Sequence, residues 1–280
     1  MLRGPRYQRL GHGIYAPVAA DIRLVERAAA ALLVLPADAL LTGVTALHLH
    51  GVEVGEPLPV RAVTATRSQT RRLDIRLVRA QRLPPHRGRL AHPVAAWLAA
   101  CADFNLLEAV AAGDWLLHGR LATRQVLVES AAGFGGRGCR RARRAAGLVA
   151  ERVESPKETT LRLALVLAGL SAPRCNVTLG TDLFAIGRVD MLYEKFKVIL
   201  EYDGDQHRLD RGQWNLDLDR NDAFADEGFL TIRVTAARMR RPRAVVRRVH
   251  AKLVERGYRG PAPVFDEEWR ALFAGDRQRV

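Results

Sequence analysis

The sequence predicts an α/β protein in two parts: a mostly helical α+β N-terminal region, then a sandwich of helices around a small mixed sheet. Three observations carry that expectation. The chain has 280 residues, 48% of them hydrophobic, enough for one large domain or two ordinary ones with sizeable cores. Between about residues 21 and 153, stretches of helical character dominate, with only two strand-like runs. From Ser155 onward the rhythm becomes helix, strand, strand, strand, helix, strand, helix.

The elements follow in order. Residues 1–20, with Arg9, Gly11, Gly13, Tyr15 and Pro17, read as a short basic hairpin or loop. Asp21 can cap a helix running to about Leu35, where Pro36 ends it, and a second short helix spans Thr42–His50 up to Gly51. Val60–Ala65 and Leu73–Val78 read as two strands separated by the polar turn Thr66–Arg72. Helices are expected over His92–Cys101, Asn105–Leu117, Thr123–Ala132 and Arg137–Val153. Ser155, Pro156 and Glu158 then combine an N-cap, a first-turn proline and a capping-box acid, starting a helix that Gly169 closes. Arg174–Leu179, Ile186–Tyr193 and Lys197–Tyr202 are strand candidates, the last two joined by a tight turn at Glu194–Phe196. A polar helix over Arg211–Glu227, a strand over Phe229–Val234 and a helix over Arg243–Arg256 complete the pattern. The tail Pro261–Val280, with Trp269 and Phe273, is expected to dock a short helix or fray.

Composition narrows the function classes. The net charge is +14, and only four basic residues are lysine (Lys157, Lys195, Lys197, Lys252). Clustered guanidinium groups attract polyanions, most simply nucleic acid, although arginine-rich usage in a GC-rich genome gives the same total. No apolar run approaches the roughly 18–20 residues of a membrane span, and no signal-peptide h-region follows Met1. Three scattered cysteines (Cys101, Cys139, Cys175) exclude a disulfide scaffold and suit a reducing cytoplasm. The distribution of charge says more than its sum. Residues 182–227 carry 6 basic and 12 acidic residues, whereas 238–259 carry 9 basic and 1 acidic.

That acidic segment holds the constellation of interest: Asp190, then Glu201-Tyr-Asp203-Gly, then His207. Glu201 and Asp203 lie two apart on a strand, so they leave one face. A turn near Glu194–Lys195 brings Asp190 toward the same end of the sheet. Carboxylates this close raise one another's pKa unless a divalent cation neutralises them, and hard oxygen donors suit Mg²⁺ or Mn²⁺. A solvated acidic rim is the plain alternative. Against it, the apolar run Val198-Ile-Leu makes this the end of a buried strand.

Together, Glu158 on a helix, Asp190, and Glu201-x-Asp203-Gly-x-x-His207 resemble the restriction-endonuclease-like PD-(D/E)xK superfamily. The likeness is nearest to the branch of the very-short-patch-repair endonuclease and a related family of unknown function, DUF559. It runs from about Ser155 to Arg256 and includes Asp219-Arg220-Asn221-Asp222 and the strand around Arg233. Upstream, Arg9-Leu-Gly-His-Gly-Ile-Tyr15 and Leu41 to Gly51 look like the AbiEi-type antitoxin segment of toxin–antitoxin systems, with its leading helix-turn-helix truncated. The resemblance implies segments 1–80 (antitoxin-like), 81–150 (helical, with an Arg-rich linker), 151–258 (nuclease fold) and 259–280 (tail). It also implies a metal-dependent DNA endonuclease, in repair or defence, with Mg²⁺ or Mn²⁺ as cofactor. Asp190 and Glu201 would hold the metal with the Tyr202 carbonyl, Glu158 would orient a water or second ion, and His207 would serve as base or relay. Arg220 and Arg233 would contact phosphate or pair with the carboxylates. Asp203 stands where the superfamily has its lysine, so a non-catalytic DNA-binding regulator is the alternative. A protein-interaction module with a toxin–antitoxin or defence partner is a third reading.

Weaker signals remain. Gly133-Phe-Gly-Gly-Arg-Gly138 reads as a linker, since it lacks the strand and Gly-Lys-Ser/Thr of a phosphate loop. The following Arg140 and Arg144, and the later Arg238, Arg240 and Arg241, are candidate phosphate contacts. His48 and His50 are spaced poorly for a shared metal on a helix.

Overall fold

A computed structural model describes residues 6–11, 13–180, 185–203 and 220–273. The chain divides into two compact units, Met1–Val149 and Ala150–Val280. The division separates neither 1–80 from 81–150 nor the tail from 151–258.

The first unit opens with the basic hairpin, β1 (Tyr7–Gly11) and β2 (Ile14–Pro17), paired antiparallel. Helix α1 (Leu24–Leu33) follows, with the Arg23 backbone N–H donating to Glu26 at its start, two residues beyond the expected cap Asp21. A five-stranded mixed sheet has the order β5-β4-β3-β7-β6, from β3 (Leu40–Leu41), β4 (Val60–Thr64), β5 (Ile75–Arg79), β6 (His86–Arg87) and β7 (Leu90–Ala91). Ala28, Ala31 and Leu35 from the α1 region pack on Leu41, Val60, Ala62 and Ile75. The two strands expected from the sequence are present, but they pair in parallel, Val60 with Ile75 through Thr64 with Arg79. Residues 65–74 therefore return the chain to the same end of the sheet instead of forming a tight turn. The two-residue strands β3, β6 and β7 are too short to produce a period-2 signal.

Helices α2 (Gly43–Leu49), α3 (Pro93–Ala100), α4 (Leu106–His118), α5 (Arg124–Gly133) and α6 (Cys139–Ala146) complete this unit. Helix α6 stops seven residues before the expected Val153, with Gly147 at its C-cap. Its arginines Arg140, Arg143 and Arg144 are exposed, while Ala142, Ala145 and Ala146 are buried. The glycine-rich segment lies inside this unit and does not link the units. Gly138, at φ +87°, presses on the Cys101–Ala102 backbone so closely that a Cβ would lie 2.6 Å from it. That contact requires glycine.

In the second unit, α7 (Pro156–Val166) starts at Ser155, whose hydroxyl accepts the Glu158 N–H. The four-stranded sheet has the order β11-β10-β9-β8, from β8 (Arg174–Gly180), β9 (Ala185–Tyr193), β10 (Val198–Asp203) and β11 (Leu230–Thr235). A short 3₁₀ turn, Glu194–Phe196, joins β9 to β10 where the sequence places a tight connection. Strands β8, β9 and β10 pair antiparallel, and β11 adds in parallel to β10. Val198, Ile199 and Leu200 are each fully buried, worth roughly 1.5–3 kcal/mol apiece, so β10 is the strand the others are built around. The helix α8, described over 220–226, seats Phe224 on Val177, Val189, Leu192 and Ile199. Helices α9 (Ala236–Met239), α10 (Pro242–Glu255) and α11 (Glu267–Phe273) follow. The tail docks: Trp269 is fully buried and its indole N–H donates to the Ala164 carbonyl at 2.9 Å. Among the described residues no helix is long and apolar enough to cross a membrane.

Candidate functional site

The site lies where strand pairing stops. The β9–β10 ladder ends at Leu200 with Met191, and one further step of that register sets Glu201 opposite Asp190. In the parallel ladder Glu201 is paired with Arg233. On the other side, Cys175 with Met191 and Val177 with Val189 bracket Asn176 opposite Asp190. One polar row, Asn176–Asp190–Glu201–Arg233, therefore crosses a sheet whose β10 centre is otherwise aliphatic. The sequence folds this way locally because Asn176 tolerates the left-handed backbone it adopts, φ +46°, interrupting the ladder opposite Asp190.

Asp190 takes over a backbone hydrogen bond at this point. Its Oδ2 accepts the Tyr202 N–H at 2.7 Å. Burial pushes its carboxyl up to about 6; the Tyr202 N–H opposes the shift, the negative charges of Glu158 and Glu201 add to it, and Arg188 lowers it. The three carboxylates thus sense one another.

Glu158 is buried and held by the chain itself. Its Oε1 accepts the Ser155 hydroxyl at 2.8 Å; its Oε2 accepts the Glu154 N–H at 3.1 Å and the Asn176 amide at 2.7 Å. Asn176 in turn accepts two bonds from the Arg188 guanidinium, Nε at 3.1 Å and Nη2 at 2.8 Å, and Arg188 pairs with Glu154. Glu201 faces two cations. Arg220 Nη2 donates to Oε1 at 3.0 Å, and Arg233 Nε lies 3.8 Å from Oε2. Arg220 reaches across Gly187, where a Cβ would lie 2.6 Å from its Cδ, and packs 5.9 Å over the Phe224 ring. The arginine needs that glycine.

Asp203 ends β10, half-buried, in register with Thr235. His207 and Asp219 lie outside the described residues. Arg238 donates to the Arg233 carbonyl at the start of α9, and Arg240 and Arg241 are exposed at the α9–α10 junction. Arg140 and Arg144 belong to the other unit. The sequence reading assigned no role to Glu154, Asn176, Arg188 or Lys157. Lys157, beside Glu158 on α7, carries its ammonium 5.9 Å from the Tyr202 ring centroid. Nothing marked these residues in advance except position, since Asn176 matters through its backbone conformation and its register.

Among the described residues no group of three or more His, Cys, Asp or Glu side chains is arranged to hold a metal ion. The donor set still suits a hard divalent cation. Mg²⁺ needs only one or two carboxylates and keeps several waters, and the β9–β10 register sets Asp190 opposite Glu201. Asp190 and Glu201 would hold the ion, once the Arg220 contact on Glu201 gives way.

Comparison with family models, with curated proteins and with solved structures gives no match.

Proposed function

We propose that the second unit is a metal-dependent phosphodiesterase acting on DNA, a nuclease of the restriction-endonuclease-like kind. The observation that carries this reading is Asp190: a half-buried carboxylate on β9 with a raised pKa, sensing the charges of Glu158 and Glu201, beside the point where the apolar run of β10 ends. Structural carboxylates are ordinarily paired, and a like-charge cluster at a strand end favours a cation and a phosphate. When bound, Mg²⁺ or Mn²⁺ would stabilise charge on the phosphate and acidify a bound water. The chain's own residues do the rest. Asp190 and Glu201 ligate, Glu158 is fixed by Ser155 and Asn176, and Arg233 stands beside Glu201 as a phosphate contact. The exposed Arg240, Arg241 and Arg248 can hold the DNA backbone beyond the scissile bond. The exposed Arg140 and Arg144 on α6 are separate candidate phosphate contacts of the first unit, and the three free cysteines suit a cytoplasmic setting.

The test is cleavage of plasmid and oligonucleotide DNA in Mg²⁺ or Mn²⁺ by wild type, Asp190→Ala and Glu201→Ala. Nicking should appear in the wild type and vanish in both variants. Nicking that survives in both would refute the assignment. One observation favours a second reading, a non-catalytic DNA-binding regulator of the toxin–antitoxin kind: Arg220 and Arg233 already neutralise Glu201. Salt-dependent DNA binding without cleavage would select it.

A further inference from the structure

Two cations are offered for one carboxylate: the Arg220 guanidinium, 3.0 Å from Glu201 Oε1, and the divalent ion of the proposed site. They cannot both sit on that oxygen without strong repulsion. The stem of Arg220 is packed over Gly187 through its Cγ and Cδ, independently of Glu201, so its guanidinium, which lies 5.9 Å from the Phe224 ring centroid, can leave the carboxylate while its base stays in place. Arg233, at 3.8 Å from Oε2, is more loosely held and remains beside the site. We infer that Arg220 is an exchangeable placeholder: it occupies Glu201 when no divalent cation is bound, and once released by the cation it turns to the DNA phosphate.

The inference rests on the nuclease reading and adds an order of events to it. Without metal, Arg220 is tied to Glu201 and contributes nothing to DNA affinity. With metal, the same side chain becomes a phosphate contact. The site then carries its positive charge on the substrate only when it is loaded, which couples metal binding to DNA binding.

The experiment uses the full chain. Mn²⁺ binding is measured by titration calorimetry, and binding of a labelled DNA duplex by anisotropy, in EDTA and in Ca²⁺, for wild type and Arg220→Gln. Arg220→Gln should tighten Mn²⁺ binding by about tenfold, the worth of one charge-assisted hydrogen bond. It should leave DNA affinity in EDTA unchanged and weaken it by about tenfold in Ca²⁺. Gly187→Ala keeps the charge but crowds the stem of Arg220. It should also tighten Mn²⁺ binding, and its thermal transition reports whether the fold survives.

An equal loss of DNA affinity with and without Ca²⁺ would make Arg220 an ordinary phosphate contact and overturn the exchange. So would unchanged or weakened Mn²⁺ binding in both variants. In those cases wild-type Mn²⁺ binding, abolished by Asp190→Ala, would leave the metal reading standing. A wild-type chain that binds no Mn²⁺ would overturn both.

Discussion

Replacing Asp190 with asparagine should stabilise the protein at neutral pH, although the change strikes the centre of the proposed site. Asparagine keeps an acceptor for the Tyr202 N–H and removes the half-buried charge. The folded carboxyl sits at about 6, against 3.8 unperturbed. Because the folded value is the higher one, the native state binds more protons than the unfolded chain between those values. Asp190 therefore contributes stability that is fully present below about pH 4 and lost as pH rises through about 6. At 1.36 kcal/mol per unit, the loss amounts to about 3 kcal/mol by pH 8. Asp190→Asn has no such loss. Urea unfolding of both proteins in EDTA, followed through the transition of the second unit between pH 4 and pH 8, measures the difference. The variant's relative stability should climb by about 3 kcal/mol across that range. A flat difference, or one that falls with pH, would refute the argument that burial raises the Asp190 carboxyl in the folded state. Adding Mn²⁺ should narrow the gap, because the cation favours the wild-type fold.

Two further outcomes test the scaffold. Ser155→Ala removes both the cap of α7 and one donor to Glu158, and should cost about 1 kcal/mol while lowering Mn²⁺-dependent cleavage. Trp269→Ala should destabilise the second unit by about 3–5 kcal/mol by calorimetry, since the indole is fully buried between Phe265 and Phe273 and bonded to Ala164. An effect below about 1 kcal/mol would mean that the tail is not part of the folded unit.

Much of the second unit was legible in the chain. The Ser155–Pro156–Glu158 start of α7, the apolar run of β10 and the turn at Glu194 are local signals, and the structure has each of them. The nearness of Asp190 to Glu201 followed from hairpin arithmetic alone. The first unit was harder. Its two longer strands were readable as strands, but their parallel pairing is a long-range fact, and the sheet is completed by β3, β6 and β7, two-residue pieces invisible to periodicity. The glycine-rich segment looked like a linker because glycine at a junction and glycine under a close backbone contact are the same letter.

By itself, the sequence determined the order of the longer elements, the acidic interruption in a basic chain, and which carboxylates could meet. Those are consequences of period, capping and spacing along one strand of covalent bonds. Only the tertiary structure decided how the charges are shared. Glu158 is held by Ser155 and Asn176, Asp190 takes the Tyr202 N–H, and Glu201 is claimed by Arg220 across Gly187. Ion pairing depends on distance, burial and register between segments far apart in the chain, and none of these is written in local sequence.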